Sequence, residues 1–482
     1  MMRLLIVEDD AEFEATLRDG LDDLADLVIE TVRDRDEAIR ALEHGEYDFI
    51  LCDLRIPSVT GRVDASVEHG LAVHAHAQQV SPGTPITIMS AYGTMDIVKH
   101  LYETAPRDDP FGVRRSDPMT TFFEKSALPE LVEHVKAAAG EFRSLEAIAI
   151  HSSGVDFGLS TADRTVIRLF CRRQGGVIAR LQPLRPGLSK ARVIRIDVVD
   201  QYGARKSQAL AKLAPHTIAA DEGERFRRLV APQLASGAFA HLIDEVKAGA
   251  CRTGGLFYWF AAADGAPEGY SSALLDLLPE DEELAVRVLL GLKEKLSPWV
   301  AAAHQEECTV GDVRRWFLSD DEFPRIASGL PARVAVIEQM KIYVNKGPEH
   351  GDLHGFNVLV RTEDAAAVII DYGSVSSAPV AVDPVTLELS CLFHPESAVR
   401  RLDWPSVEQT RRWASAVDFS DGSPIPKFVS SCREWAHERS ASDGEVFAVA
   451  YAYAARQLKY ADVDPLLAGA IAEAATVALD NL

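Results

Sequence analysis

Across residues 1–139, short apolar runs alternate with longer stretches whose apolar residues recur every three or four positions. Leu4–Val7, Val28–Thr31, Phe49–Cys52, Ile86–Met89 and Thr121–Phe123 read as strands. Ala11–Leu24, Arg35–His44, Gly70–Gln79, Met95–Tyr102 and Leu128–Ala139 carry the period of amphipathic helices. Five strands alternating with helices predict a doubly wound, five-stranded parallel sheet. Ligands of such sheets sit at the carboxyl ends of the strands.

The pattern then changes. Residues 140–178 read as a helical connector, with Glu141–Ile150 extending the preceding helix. Thr161–Arg173 is capped by Ser160 or Thr161 and ended by Gly175-Gly176. Its Val166, Leu169 and Phe170 share one side, and Arg168, Arg172 and Arg173 the other. Strands follow at Val177–Leu181, Ala191–Val199 and Gln208–Leu213, then a helix over Asp221–Leu234. Gly255–Ala261 reads as a buried edge strand that ends in a linker. Residues 271–346 are mostly helical. A short hairpin, Asn357–Val360 with Val368–Ile370, precedes Asp383-Pro384, which is suited to start a helix. The remainder to Leu482 is helical, with Trp404, Trp413 and Trp435 as core residues. The chain thus divides into segments 1–139, 140–178, 179–262 and 263–482: a multidomain α/β plus α+β protein.

Composition narrows the functional classes. The 482 residues are 47% hydrophobic and 26% charged, ordinary for soluble globular domains. No apolar run reaches membrane-spanning length, and no signal peptide is apparent. Cys52, Cys171, Cys251, Cys308, Cys391 and Cys432 are scattered without a C-x-x-C pair, which fits reduced thiols in a cytoplasm. The formal charge of −23 disfavours nucleic acid, whose backbone such a surface repels.

Polar groups follow the predicted strands of segment 1–139. Glu8, Asp9 and Asp10 follow the first strand, Asp53 the third, Ser90 the fourth and Lys125 the fifth. Carboxylates that share one edge repel each other unless a divalent cation is bound. A carboxylate beside such a cation is a competent nucleophile toward a phosphoryl donor. Lys125 and Ser90 are then placed to hold phosphoryl oxygens, and Asp10 to cap the first helix.

This constellation closely resembles the receiver domain of bacterial response regulators. The resemblance implies that Glu8 and Asp9 are the acidic metal-binding pair and Asp53 the phosphorylated residue. Ser90 matches the switch hydroxyl, Phe122 the switch aromatic and Lys125 the conserved-type lysine. It further implies Mg²⁺, a cognate histidine kinase or phosphotransfer protein, and the option of a homodimer through this domain. Two departures stand out. Arg62–His69 and Arg107–Met119 look inserted, and Lys125 is followed by Ser126 where the family commonly has proline.

A second polar constellation lies near the chain's centre of chemistry in segment 263–482. His350-Gly351-Asp352-Leu353-His354 leads to Asn357, and Ile369-Ile370-Asp371-Tyr372-Gly373 follows the hairpin. One Asp beside a reacting hydroxyl, then Asn and Asp aimed at Mg²⁺, is what phosphoryl transfer from ATP requires. The competing reading is a surface turn with incidental acids. His350 and His354 share this loop, which argues against zinc. These residues resemble the catalytic and metal loops of kinase-like phosphotransferases, the group of aminoglycoside and choline kinases. The resemblance implies a bilobal protein-kinase-like fold, with Asp352 catalytic and Asn357 and Asp371 on the metal. Asp383 would also brace the catalytic loop. The order of domains and the Asp-Pro-x-Thr-Leu-Glu helix start further resemble the bacterial ternary-complex-associated phosphotransferase-like domains.

Segment 179–262 would then be the nucleotide-covering lobe. Lys212 inside an apolar strand needs an anion, and Glu222 is its candidate partner, with Glu224 as the alternative. Gly187 and Ser189 lie in a small-residue turn suited to a phosphate-covering loop, or equally to an ordinary hairpin. The expectation is a two-component output enzyme: Asp53 gates an ATP-dependent phosphotransferase acting on an unknown hydroxyl acceptor. The alternative is a pseudokinase-type nucleotide-binding scaffold in phosphorelay signalling.

Overall fold

In the N-terminal sheet, successive residues of each strand are driven to opposite faces. Leu5, Val7, Ile50, Cys52, Ile86 and Ile88 pack with Ala38, Leu42, Val73 and Ala77 on one side. Leu4, Ile6, Phe49, Leu51 and Met89 pack with Leu17, Leu21, Leu131 and Val135 on the other. Burial on both faces explains the unbroken apolar runs. The strands are β1 (Met2–Val7), β2 (Leu27–Val32), β3 (Phe49–Asp53), β4 (Ile86–Ser90) and β5 (Thr120–Glu124). They are parallel, in the order β2-β1-β3-β4-β5. The order reverses between β1 and β3, which opens a crevice at their carboxyl ends.

This is a computed structural model. It describes residues 1–91, 105–152, 154–183, 192–259, 270 and 272–482. The expected helix Met95–Tyr102, the turn with Gly187 and Ser189, and Phe260–Ala261 lie outside the described residues. The chain forms two compact units. The first is Met1–Asp221 with Leu242–Tyr258, and the second is Glu222–His241 with Trp259–Leu482.

Helix starts in the first unit follow the side chains. Asp10 accepts from the N–H groups of Glu12 and Phe13, as expected of a capping acid. Asp34 and Ser66 cap the helices Arg35–His44 and Val67–Val80. The last helix of this region runs from Leu128 to Glu146, so the expected extension over Glu141–Ile150 forms only in its first part and gives way to a strand at Ala149–His151. Lys125-Ser126 is not among the cis peptide bonds, and the chain leaves β5 through a 3₁₀ turn at Lys125–Ala127.

The segment expected to be a purely helical connector contributes a strand. Ala149–His151 pairs in parallel with Ile178–Pro183 and forms one edge of a six-stranded sheet. The order from that edge is Ala149–His151, Ile178–Pro183, Arg192–Val199, Arg205–Pro215, Thr253–Trp259 and His241–Val246. The helix Thr161–Arg173 lies on this sheet, with Val166, Leu169 and Phe170 in its core and Phe170 stacked on Phe257 at 3.9 Å. Ser160, not Thr161, caps it in a reciprocal pair with Asp163. Thr253–Trp259 is an inner strand, not the edge strand its composition indicated, because His241–Val246 lies outside it.

In the second unit, two strands appear where helix was expected: His304–Thr309 and Lys341–Glu349, joined by Ser376–Pro379 into an antiparallel sheet. The expected hairpin forms, with Val358–Arg361 paired to Ala366–Ile369. Helices Val382–Phe393, Pro426–Arg439, Asp443–Gln457 and Pro465–Asp480 follow. Trp404, Trp413 and Trp435 are buried, as expected. Asp383 does not cap its helix, which starts at Val382 after Ala381. Among the described residues, no helix is long and apolar enough to cross a membrane.

Candidate functional site

Glu8 and Asp9 leave the end of β1, and Asp53 ends β3, so the crevice between these strands collects three carboxylates. One oxygen from each lies within 4.8 Å of the others. Glu8 and Asp53 are buried, while Asp9 is exposed. Lys125, just beyond β5, reaches between them. Its Nζ is 2.7 Å from Glu8 Oε1 and 2.8 Å from Asp53 Oδ2. It also lies 4.8 Å from the centroid of the Phe13 ring, a cation–π contact that the sequence did not suggest. Ser90 is fully buried at the end of β4, and Phe122 on β5 is half-buried against the core of one face. The cross-strand register sets Asp53 beside Met89 and Ser90 beside Glu124.

Electrostatics at this crevice are strained in one direction. Burial, opposed by the Lys125 hydrogen bond, pushes the Glu8 carboxyl up to about 7. Burial and then the Asp53 charge raise Asp9 as well. Burial lowers Lys125, but Asp53 and Glu8 outweigh it and raise it overall. One ammonium therefore does not neutralise three converging acids. Their oxygens are hard donors at a spacing that suits a small divalent cation such as Mg²⁺.

Residues 4–108 match the family model described as the response regulator receiver domain. The curated Transcriptional regulatory protein CiaR of Streptococcus pneumoniae (strain ATCC BAA-255 / R6) is 32% identical over 108 residues, which are 22% of this chain and 43% of that relative. The chain thus spans less than half the length of the curated relative it matches. Similar solved structures include the CheY-like receiver domain protein from Methanospirillum hungatei JF-1, at 16% identity, covering 30% of this chain and 97% of that one, with a TM-score of 0.23. Another is the receiver domain of sensor histidine kinase PA1611 from Pseudomonas aeruginosa PAO1, with a magnesium ion coordinated in its active site cleft, at 18% identity, 29% and 98% coverage and a TM-score of 0.21. The strand order, the crevice and the family match define the response regulator receiver domain. The N-terminal part of this chain is such a domain.

The second constellation is built from backbone as much as from side chains. After Lys341–Glu349, Gly351 adopts a φ of +82°, which turns the chain toward Asp352. The buried Asp383 carboxylate accepts the N–H groups of His350 (2.8 Å) and Gly351 (2.9 Å), so it braces this loop as the resemblance implied. His350 Nε2 donates to the Ile370 carbonyl at 2.9 Å, which ties the first loop to the second. Asn357 donates its amide to the Asp352 carbonyl at 2.8 Å, and its own carbonyl accepts from Ile370 N–H at 3.0 Å. That use of the amide nitrogen leaves the Asn357 amide oxygen as the side chain's acceptor atom. The hairpin register, Val358 opposite Ile369, returns Asp371 to the edge that carries Asn357. Asp371 itself has a φ of +68°.

Asp352 is partly exposed, with Oδ1 3.5 Å from Arg456 Nη1 and Oδ2 3.9 Å from His354 Nε2. Arg456 was not singled out from sequence. It sits 104 residues from Asp352, on the helix Asp443–Gln457, and no local pattern links the two. Glu222 is buried and accepts from Tyr372 N–H at 3.4 Å, beside Asp371. Glu224, the alternative, is exposed and lies 3.7 Å from Arg227. The helix carrying Glu222 begins earlier than expected, at His216, and passes into a π-helical turn at Phe226–Val230. Such turns recur at functional sites. Lys212 lies in the middle of the six-stranded sheet, between Val193 and Leu256, and is half-buried.

Proposed function

We propose that this chain is a two-component response regulator whose phosphoacceptor is Asp53. Its output would be an ATP-dependent, kinase-like phosphotransferase spanning the lobes 179–262 and 263–482. In the receiver, an Asp53 oxygen attacks the donor phosphorus as the bond to the donor breaks. Lys125 then balances the charge gained, and Ser90 offers its hydroxyl to the new oxygens. Mg²⁺ held by Glu8, Asp9 and Asp53 would supply the positive charge these acids lack. A histidine kinase or phosphotransfer protein would be the donor.

For the output, the observation that carries the reading is the knitted pair of loops. Asp383, His350 and Asn357 hold Asp352, Asn357 and Asp371 on one hairpin edge, though a plain surface turn needs none of these buried bonds. Asp352 would orient or accept the proton of the acceptor hydroxyl. Asn357 and Asp371 would hold Mg²⁺ against the ATP phosphates. The nearby Arg456 favours one competing reading. A guanidinium 3.5 Å from Asp352 would compete with an acceptor hydroxyl for that carboxylate, which is what a nucleotide-binding scaffold without turnover could tolerate. Calorimetry with Mg²⁺ and ATP, followed by an ATP-consumption screen, separates the two. Asp371→Ala should lose metal-dependent nucleotide binding, whereas Asp352→Ala should retain binding and lose turnover. Binding without turnover in the wild type supports the scaffold, and no binding at all ends both readings of this domain.

A further inference from the structure

The receiver is bound to the six-stranded sheet along one edge. All the contacts below lie within the first unit, on residues preceding β3, β4 and β5. Before β3, the Tyr47 carbonyl accepts from the Cys251 thiol at 3.1 Å and from the Thr84 hydroxyl at 2.8 Å. The Arg252 guanidinium donates to the carbonyls of Glu43 at 2.9 Å and Gly45 at 3.3 Å. Before β4, Gly83 N–H donates to the Cys251 carbonyl at 2.9 Å, and Gly249 N–H donates to the Gly83 carbonyl at 2.7 Å. At Gly249, with φ +89°, a side chain would lie 2.0 Å from the Pro110 carbonyl, so the approach of the two backbones requires glycine.

The third tie uses the insertion before β5. Its ends pair as a small ladder, Arg107–Asp108 with Asp117–Pro118. Arg173, at the end of the helix Thr161–Arg173, has its side chain only 8% exposed. It donates to Asp109 Oδ2 at 3.1 Å and the Asp109 carbonyl at 2.9 Å, and to Asp244 Oδ1 at 3.1 Å and the Glu245 carbonyl at 3.0 Å. Arg172 reaches the Phe111 carbonyl at 3.0 Å, and Arg114 returns a bond to the Arg173 carbonyl at 2.7 Å. A guanidinium this enclosed and this fully used fixes geometry as well as charge.

These ties hold the starts of the strands whose ends carry the phosphoacceptor crevice. β4 begins just after Gly83 and ends at Ser90; β5 begins just after the insertion and leads to Lys125. A hydrogen-bonded strand is stiff along its length, so a shift at one end is delivered to the other. We propose that occupancy of Asp53 is read by the six-stranded sheet through the clamped starts of β4 and β5, with Arg173 as hub. This inference rests on Asp53 being the phosphoacceptor and does not depend on the output being a kinase.

The test uses the full chain with Mg²⁺ and beryllofluoride, a phosphoryl mimic. Fluorine NMR reports occupancy of Asp53, and hydrogen exchange reports on 205–215 and 247–252. Occupancy should change amide protection there by roughly 5–150-fold in the wild type, the usual range of coupling between sites. Arg173→Lys keeps the charge but loses the fork, and Arg172→Ala removes a tie at the rim. Both should bind the mimic normally yet lose most of that change. The short covalent path from the helix Leu128–Glu146 into Ala149–His151 is intact in both variants. Should Arg173→Lys fail to fold by circular dichroism, Arg172→Ala alone decides. An unchanged wild type with bound fluoride, or an undiminished response in the variants, overturns the proposal. A missing bound-fluoride signal instead removes the Asp53 reading on which it rests.

Discussion

The two polar constellations of this chain are held by opposite means. In the receiver crevice, functional side chains meet one another directly: Lys125 bridges Glu8 and Asp53, and burial still holds the Glu8 carboxyl above its ordinary range. In the second unit, much of the holding is done through the backbone. Buried groups hold the backbone that carries them: Asp383 under His350 and Gly351, His350 under Ile370, Asn357 under Asp352. The lesson concerns what each site is prepared for. A crevice of converging acids is poised for a cation. A braced loop with half-exposed acids keeps its geometry before any ligand arrives.

The largest effect expected from this contrast is all-or-none. Asp53→Ala should abolish labelling by acetyl phosphate in the presence of Mg²⁺, read as intact mass. Asp352→Ala and Asp371→Ala should leave labelling untouched, since neither group belongs to the receiver. Equal labelling of wild type and Asp53→Ala would remove the phosphoacceptor assignment.

Next comes the brace. Asp383→Ala leaves two buried N–H groups without their charged acceptor, at a cost of roughly 2–5 kcal/mol. Urea unfolding followed by tryptophan fluorescence should show an earlier transition, while acetyl phosphate labelling of Asp53 persists. A loss below about 0.5 kcal/mol, the scale of an ordinary surface substitution, would mean that the loop is held by other groups.

A pH effect follows from His394, which packs against the rings of His354 (4.9 Å) and Phe356 (4.5 Å). Burial, then the neighbouring His354, lowers its imidazole to about 4, with Asp352 opposing and Arg400 and Asp462 also in range. The folded state thus holds it neutral, while the unfolded chain takes up a proton below about 6.5. Its stabilisation is complete above that pH and is lost as pH falls toward 4, by up to about 3 kcal/mol. The slope of stability between pH 6.5 and 4 should flatten in His394→Asn. An identical slope would place the acid sensitivity elsewhere.

The smallest effect is at Ser160, whose hydroxyl accepts from Asp163 N–H at 3.1 Å. Ser160→Ala should destabilise the first unit by about 1 kcal/mol, seen as a melting shift of a few degrees. No shift would mean that packing of Val166, Leu169 and Phe170 alone holds this helix.

The receiver was legible because its strands are buried on both faces, which leaves continuous apolar runs that few other structures produce. Its acids were legible because strand ends follow directly from strand limits. The strand Lys341–Glu349 was not, although Ile342 and Val344 are buried and Lys341 and Tyr343 exposed. That period of two is brief and runs into Asn345-Lys346, so helical neighbours dominated the reading. Asp383 was seen as a brace through resemblance, but the helix start lies two positions earlier, at Val382 after Ala381, although Asp-Pro favours a cap. Arg456 could not be foreseen, since its proximity to Asp352 depends on how distant helices pack.

The brace under His350 and Gly351 has a consequence for variation. Asp383 binds main-chain N–H groups, which every residue except proline supplies. The height and direction of the loop at His350 and Gly351 are therefore written in part into the helix Val382–Phe393, and not into the partly exposed side chain at Asp352. A library that randomises position 352, which is partly exposed, while retaining Asp383 and the buried Leu353 should yield mostly folded proteins. The chemistry offered at this edge is thus free to be rewritten on a frame that does not need redesign.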